Sequence, residues 1–195
     1  NLSNSGTGQY SNVGRFDGDD DSGTIWDLQS NARLGATVQG DTIGGGFEYG
    51  SGPNLRKLYG TYTMNGNEFM VGQNYTPLGS MFYSNQAFGD DWGLLNVGNV
   101  YTGRDPMLQW KAGGLRLALV TNQGNALNTD SDVDNVIPQG EFRYNFKTDT
   151  WFVDVFGGAQ TYQLESTEAS VTDETINSYL GGAGGGFNAG AFYMN

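Results

Sequence analysis

Residues 25–39, IWDLQSNARLGATVQ, alternate in polarity along their whole length. Trp26, Leu28, Ala32, Leu34, Ala36 and Val38 fall on one parity, interrupted by Ser30, and Asp27, Gln29, Asn31, Arg33, Thr37 and Gln39 fall on the other. Successive side chains of a β-strand point to opposite faces, so this segment is apolar on one side and hydrogen-bonding or charged on the other. It outruns the usual soluble strand of about 5–6 residues and suits a tilted bilayer strand of about 9–11. Alone, the pattern fits a lipid-facing barrel strand and a half-buried soluble strand equally well.

Composition narrows the choice of chemistry. The 195 residues contain no Cys and no His, which removes thiolate nucleophiles, disulfides, imidazole bases and the common zinc sites. A formal net charge of −12 argues against nucleic acid, which requires clustered Lys and Arg. No run of about 18 apolar residues exists, so no transmembrane helix is expected; barrel strands hide their hydrophobicity in alternation instead. Residues 1–10 show no cleavable signal, as a processed N-terminus or a cytosolic origin would each explain. The charges are also segregated. Arg33, Arg56, Lys57, Lys111, Arg116, Arg143 and Lys147 lie in strand-like segments, whereas runs such as DGDDDSG (17–23) lie in connections.

The chain reads as eleven strands: 10–16, 25–39, 43–50, 55–64, 68–75, 106–111, 115–121, 140–147, 151–163, 176–184 and 187–194. Short turns are expected at 40–41, 65–67, 112–114, 148–149 and 185–186, where Gly, Asn and Asp supply positive φ. Longer connections fall at 17–24, 51–54, 76–105, 122–139 and 164–175. Long and short alternate without exception, as an up-and-down barrel in an outer membrane requires and a Greek-key sandwich does not. Face assignments agree: Leu115, Leu117 and Leu119 oppose Arg116, and Phe142, Tyr144 and Phe146 oppose Arg143 and Lys147. A lipid-facing Arg or Lys costs roughly 2–4 kcal/mol near the midplane, so the charged parity is expected to face inward. Trp110 and Trp151 beside short turns, and Trp26 and Tyr49 beside long loops, suit aromatic girdles. Arg56 and Lys57 are adjacent, so strict alternation lets only one face inward; the other is expected to snorkel at the interface.

NARLGATVQGD, GGGFEYG and LRKLYGTYTMNGNEFMVGQNYTPLG, followed by GRDPMLQWKAGGLRLALV, resemble the general diffusion porins of Gram-negative outer membranes. The resemblance is closest to the porins of sulfate- or metal-reducing bacteria, and VGQNYTPLG (71–79) is its sharpest stretch. It implies one all-β, up-and-down antiparallel transmembrane barrel domain over 1–195, passing small hydrophilic solutes and ions by passive diffusion. It also implies a homotrimer set among outer-membrane lipid and lipopolysaccharide. In that family the third outer loop folds into the barrel and sets its acids against a basic wall. Here the third and longest connection is 76–105, which makes Asp90 and Asp91 candidates for the acidic side. Arg33, Lys57, Arg104, Arg116, Arg143 and Lys147 are candidates for the basic, pore-lining side. An odd strand number cannot close such a barrel, so the chain is expected to be an N-terminal portion of one with about sixteen strands. The overall charge leans toward cation preference.

Asp130, Asp132 and Asp134 with Glu141 approach the ligand spacing of a calcium loop. However, Asn135 replaces the required Gly and Pro138 interrupts the run, so only weak calcium binding in outer loops is expected and no resident cofactor. The competing reading is a soluble or surface-exposed β protein, adhesin-like, that binds glycans or calcium. Catalysis is not expected, because acids alone remain to carry it.

Overall fold

The computed structural model describes residues 32–52, 54–81, 100–122, 131–134, 137–166, 173–190 and 192–194. The strand expected at 10–16, the first half of 25–39, and Asp90, Asp91 and Asp130 lie outside them. The described chain forms β1 (Arg33–Gln39), β2 (Ile43–Gly50), β3 (Leu55–Met64), β4 (Asn67–Tyr75), β5 (Arg104–Ala112), β6 (Leu115–Val120), β7 (Ser131–Asp134), β8 (Gln139–Lys147), β9 (Trp151–Ser166), β10 (Glu174–Ala189) and β11 (Phe192–Met194). All pair antiparallel in one sheet in the order β1-β2-β3-β4-β5-β6-β8-β9-β10-β11, with β7 beside β9. Among the described residues, β1 and β11 are its edges. The fold is therefore an all-β meander, as the alternation of long and short connections predicts.

The tight turns share one end of the sheet. Asn65 and Gly66 join β3 to β4 with φ of 50° and 77°, the left-handed pair that a two-residue type I′ hairpin needs. The strand ends at Gln39 and Ile43, Ala112 and Leu115, and Lys147 and Trp151 lie at the same end, while those at Gly50 and Leu55, Tyr75 and Arg104, and Ser166 and Glu174 lie at the other.

Three local expectations need correction. Gly185 and Gly186 do not turn the chain. β10 runs through them to Ala189, pairing Gly185 with Val153 and Gly186 with Phe152, and the reversal comes at Gly190, with φ of 65°. Glycine serves close packing here: a Cβ on Gly182 would approach the Phe156 ring to 2.8 Å, and one on Gly185 would meet the Phe152 carbonyl oxygen at 2.6 Å. Second, the connection 122–139 contains a strand, β7. Asp134 pairs with Gln163 and Gly140 with Ala159, so six steps on one side oppose four on β9. Two more residues therefore separate these pairs on the β7–β8 side than on β9, and Pro138 among them has no N–H for the ladder.

The third correction concerns Arg56 and Lys57, which reach the same partner. The β2–β3 register shifts between Glu48 and Tyr49, and this bulge cancels one step of alternation. Glu48 then accepts from Arg56 Nε at 2.7 Å and from Lys57 Nζ at 2.8 Å.

The two faces of the sheet differ in kind. One lateral row runs Val38–Gly45–Gly60–Val71–Leu108–Leu119–Gly140–Ala159–Tyr179 across nine strands. Beside it runs Ile43–Tyr62–Phe69–Trp110–Leu117–Phe142–Gly157. The large side chains of these rows stay open: Val38 is 72% exposed, Val71 59%, Leu108 58% and Leu119 53%. Toward the tight-turn end, Phe146 and Trp151 stack at 5.4 Å. The opposite face carries Thr63–Glu68–Lys111–Arg116–Arg143 as one row. Its buried apolar residues are few: two small groups, Met70, Met107, Ala118 and Val120, and Leu78, Met81, Val100 and Phe156, with Leu164 apart from both.

Candidate functional site

The site begins where β4 ends. Residues 76–81 leave the sheet and fold back over its polar face. Thr76, Pro77, Leu78 and Met81 are essentially fully buried, and Leu78 and Met81 pack with Phe156 of β9. Four strand spacings of about 4.8 Å separate β4 from β9, so this segment crosses much of the face.

Hydrogen bonds hold it there. Leu78 N–H donates to Glu141 Oε2 at 3.1 Å, and Gly79 N–H to Thr76 Oγ1 at 2.9 Å. Thr76 and Thr102 hydroxyls meet at 2.7 Å, joining the outgoing and returning limbs. Arg143 Nη1 and Arg116 Nη1 both donate to Ser80 Oγ, at 2.8 and 3.2 Å. Gly79 lies against the returning limb. A Cβ there would stand on the Gly103 carbonyl oxygen, with the Gly103 carbonyl carbon at 2.9 Å and its nitrogen at 3.0 Å. Backbone cannot yield as a side chain does. Gly79→Ala is therefore expected to unseat the segment, costing about 1–3 kcal/mol as overpacking does and exposing 76–103 to protease. Cleavage there at the parental rate would refute this.

The structure sorts the predicted basic residues into groups. Arg116 and Arg143 are direct cross-strand neighbours, and Lys111 adjoins Arg116. Like charges directly opposite are destabilising, and the row is offset at its ends. Lys111 Nζ lies 3.8 Å from Glu68. Arg143 makes a forked pair with Asp154, Nε–Oδ1 2.6 Å and Nη2–Oδ2 2.9 Å, and Asn145 Nδ2 donates to the same carboxylate at 2.8 Å. Lys57 and Arg104 converge on Tyr75. Lys57 Nζ stands 5.3 Å from its ring centroid, the Arg104 guanidinium 5.1 Å, and Arg104 Nη1 donates to its hydroxyl at 2.9 Å. Arg33, at the loop end of the edge strand β1, and Lys147, at the tight-turn end of β8, join neither group and are exposed. A cavity of about 370 Å³ on this face is lined from six successive strands, from Thr37 on β1 to Arg116 on β6.

No family model, curated protein or solved structure matches the chain. Its site is therefore read from its own geometry.

Several of the residues that build the site were not singled out from sequence. Ser80 bridges two arginines, Glu48 unites Arg56 and Lys57, and Tyr75 gathers two cations. Tyr75 stands in VGQNYTPLG (71–79), immediately before the longest connection, and that position is its signal in the sequence. Glu141, one of the weak calcium candidates, receives Leu78 N–H and, at 2.9 Å, Gln139 Nε2. Asp134 pairs five residues further along β9, about 16 Å away at the rise of a strand. Among the described residues, no group of three or more acids could hold a metal ion.

Proposed function

We propose that the chain forms the wall of an outer-membrane diffusion channel, with the apolar rows against lipid and lipopolysaccharide and the charged row against water. Small hydrophilic solutes and ions pass along the polar face, and residues 76–81 begin the loop that narrows their path. Arg116, Arg143, Lys57 and Arg104 supply the basic side of the constriction, and Asp90 and Asp91 its acidic side. Opposed charges of this kind orient dipolar solutes and oppose apolar ones. The reading includes closure into a barrel of about sixteen strands and assembly as a homotrimer. It needs no catalytic step and no resident cofactor.

One observation carries it: wide rows of large apolar side chains stay exposed on one face while the charged row keeps to the other. A monomeric soluble protein rarely leaves so extensive an apolar surface open, and a bilayer gives it a solvent. Planar-bilayer recording on the full-length protein tests the reading. Steady ohmic steps are expected; folded protein that inserts without conducting would refute it.

A further inference from the structure

A second cavity lies between residues 78 and 102 of the loop limbs and strands β8, β9 and β10. It holds about 300 Å³, room for about ten waters and the small end of the range for ligand pockets. Its floor is a notch in the wall. Glu141, Gly158 and Leu180 form one lateral row across the three strands, and Gly158 contributes no side chain to it. A Cβ there would enter the gap, 3.5 Å from Leu78 Cδ1 and 3.7 Å from Glu141 Cγ. One step toward the loop end, Gln160 pairs with Ser178, and Gln139 stands one position beyond the Gly140–Ala159 pair. Two amides and a hydroxyl thus stand side by side on neighbouring strands, about 4.8 Å apart. All three line the cavity and are half-buried, so a solute can reach them.

The lining mixes donors with acceptors. Gln139 Nε2 is committed to Glu141 Oε1 at 2.9 Å, which leaves its carbonyl oxygen as the acceptor on the other side of the amide. The Gln160 amide and the Ser178 hydroxyl each donate and accept. Asp105 brings a carboxylate from β5, and Leu78 and Leu180 bring apolar surface.

We propose that this cavity is a subsite for a neutral, ring-shaped, polyhydroxylated solute, of the chemistry of a monosaccharide. Each hydroxyl of such a solute donates and accepts, as the row Gln139–Gln160–Ser178 does, whereas a carboxylate only accepts and an ammonium only donates. The C–H face of the ring meets Leu78 and Leu180, and the missing side chain at Gly158 makes room for one ring. The inference rests on the channel reading for the route by which solute arrives, and it names the class of solute that pauses there. A subsite in a channel must also let its solute go, so binding in roughly the millimolar range is expected of so small a ligand.

Saturation-transfer NMR on the full-length protein, in a detergent without a sugar head group, tests the proposal with glucose, glycerol and ethanolammonium as probes. Glucose is expected to bind saturably, and glycerol, which has no ring, more weakly. Gln160→Leu should raise the glucose dissociation constant about three- to tenfold, the scale of one lost neutral hydrogen bond. Gly158→Ala should weaken glucose at least as much, because its methyl group takes the solute's place. Should either variant not fold, Ser178→Ala gives the same comparison on the neighbouring strand. No saturable glucose signal, or one unchanged in the variants that fold, would overturn the proposal. Ethanolammonium held more tightly than glucose would overturn it as well, by making the Asp105 carboxylate the determinant. Glucose binding without conductance sinks the channel and leaves the subsite; conductance without glucose binding does the reverse.

Discussion

Asp154→Ala is expected to destabilise the folded chain by about 3–5 kcal/mol, the cost of removing one partner from a buried ion pair. The Asp154 side chain is fully buried and that of Arg143 is 12% exposed, so water cannot replace the lost carboxylate. Asn145 loses its acceptor at the same time. Arg116 then faces an uncompensated Arg143 directly across the strand pair. Urea unfolding in phospholipid vesicles would measure the loss. A double variant, Asp154→Leu with Arg143→Met, should recover most of it, because apolar replacement of a whole buried pair is often neutral. A double variant as unstable as the single one would show that something other than the orphaned guanidinium sets the cost.

Leu108→Arg comes second in size and separates the two surviving readings of the exposed face. Leu108 lies mid-strand in β5, between Val71 and Leu119, and is open to its surroundings. If those surroundings are acyl chains, the substitution costs roughly 2–4 kcal/mol. If they are water, a surface substitution away from any special feature stays within about 0.5 kcal/mol. The same vesicle unfolding reads the difference. A change below half a kilocalorie would remove lipid from the account and restore a water-facing sheet.

Much of the fold was legible because period-two alternation reports a strand whatever its partner. β2 and β3 begin and end where alternation places them, and Asn65-Gly66 forms the hairpin its residues favour. What escaped was non-local. Glycine at 185–186 reads as a turn until Phe152 is known to lie against it. Arg56 and Lys57 look incompatible with one face until a bulge removes a step of the ladder, and nothing in their immediate neighbours announces that Glu48 waits across the sheet. The basic residues of the site were identifiable from charge on the polar parity, but their division between Tyr75 and Ser80 depends on where a loop returns. Acids in the strands carry no such mark in the sequence: Asp154 anchors Arg143, and only the fold brings the two together.

β9 and β10 each run 16 residues, about 53 Å at the rise of a strand, whereas β6 next to β8 has 6. A hairpin that tall stands above its neighbours like a parapet on one side of a courtyard, and β7 buttresses it near the top. On the channel reading proposed above, a solute approaching the loop end of the sheet meets a stiff ledge from one quarter and a low sill from another. Its angle of approach is thus chosen before it comes near any charged side chain on the floor.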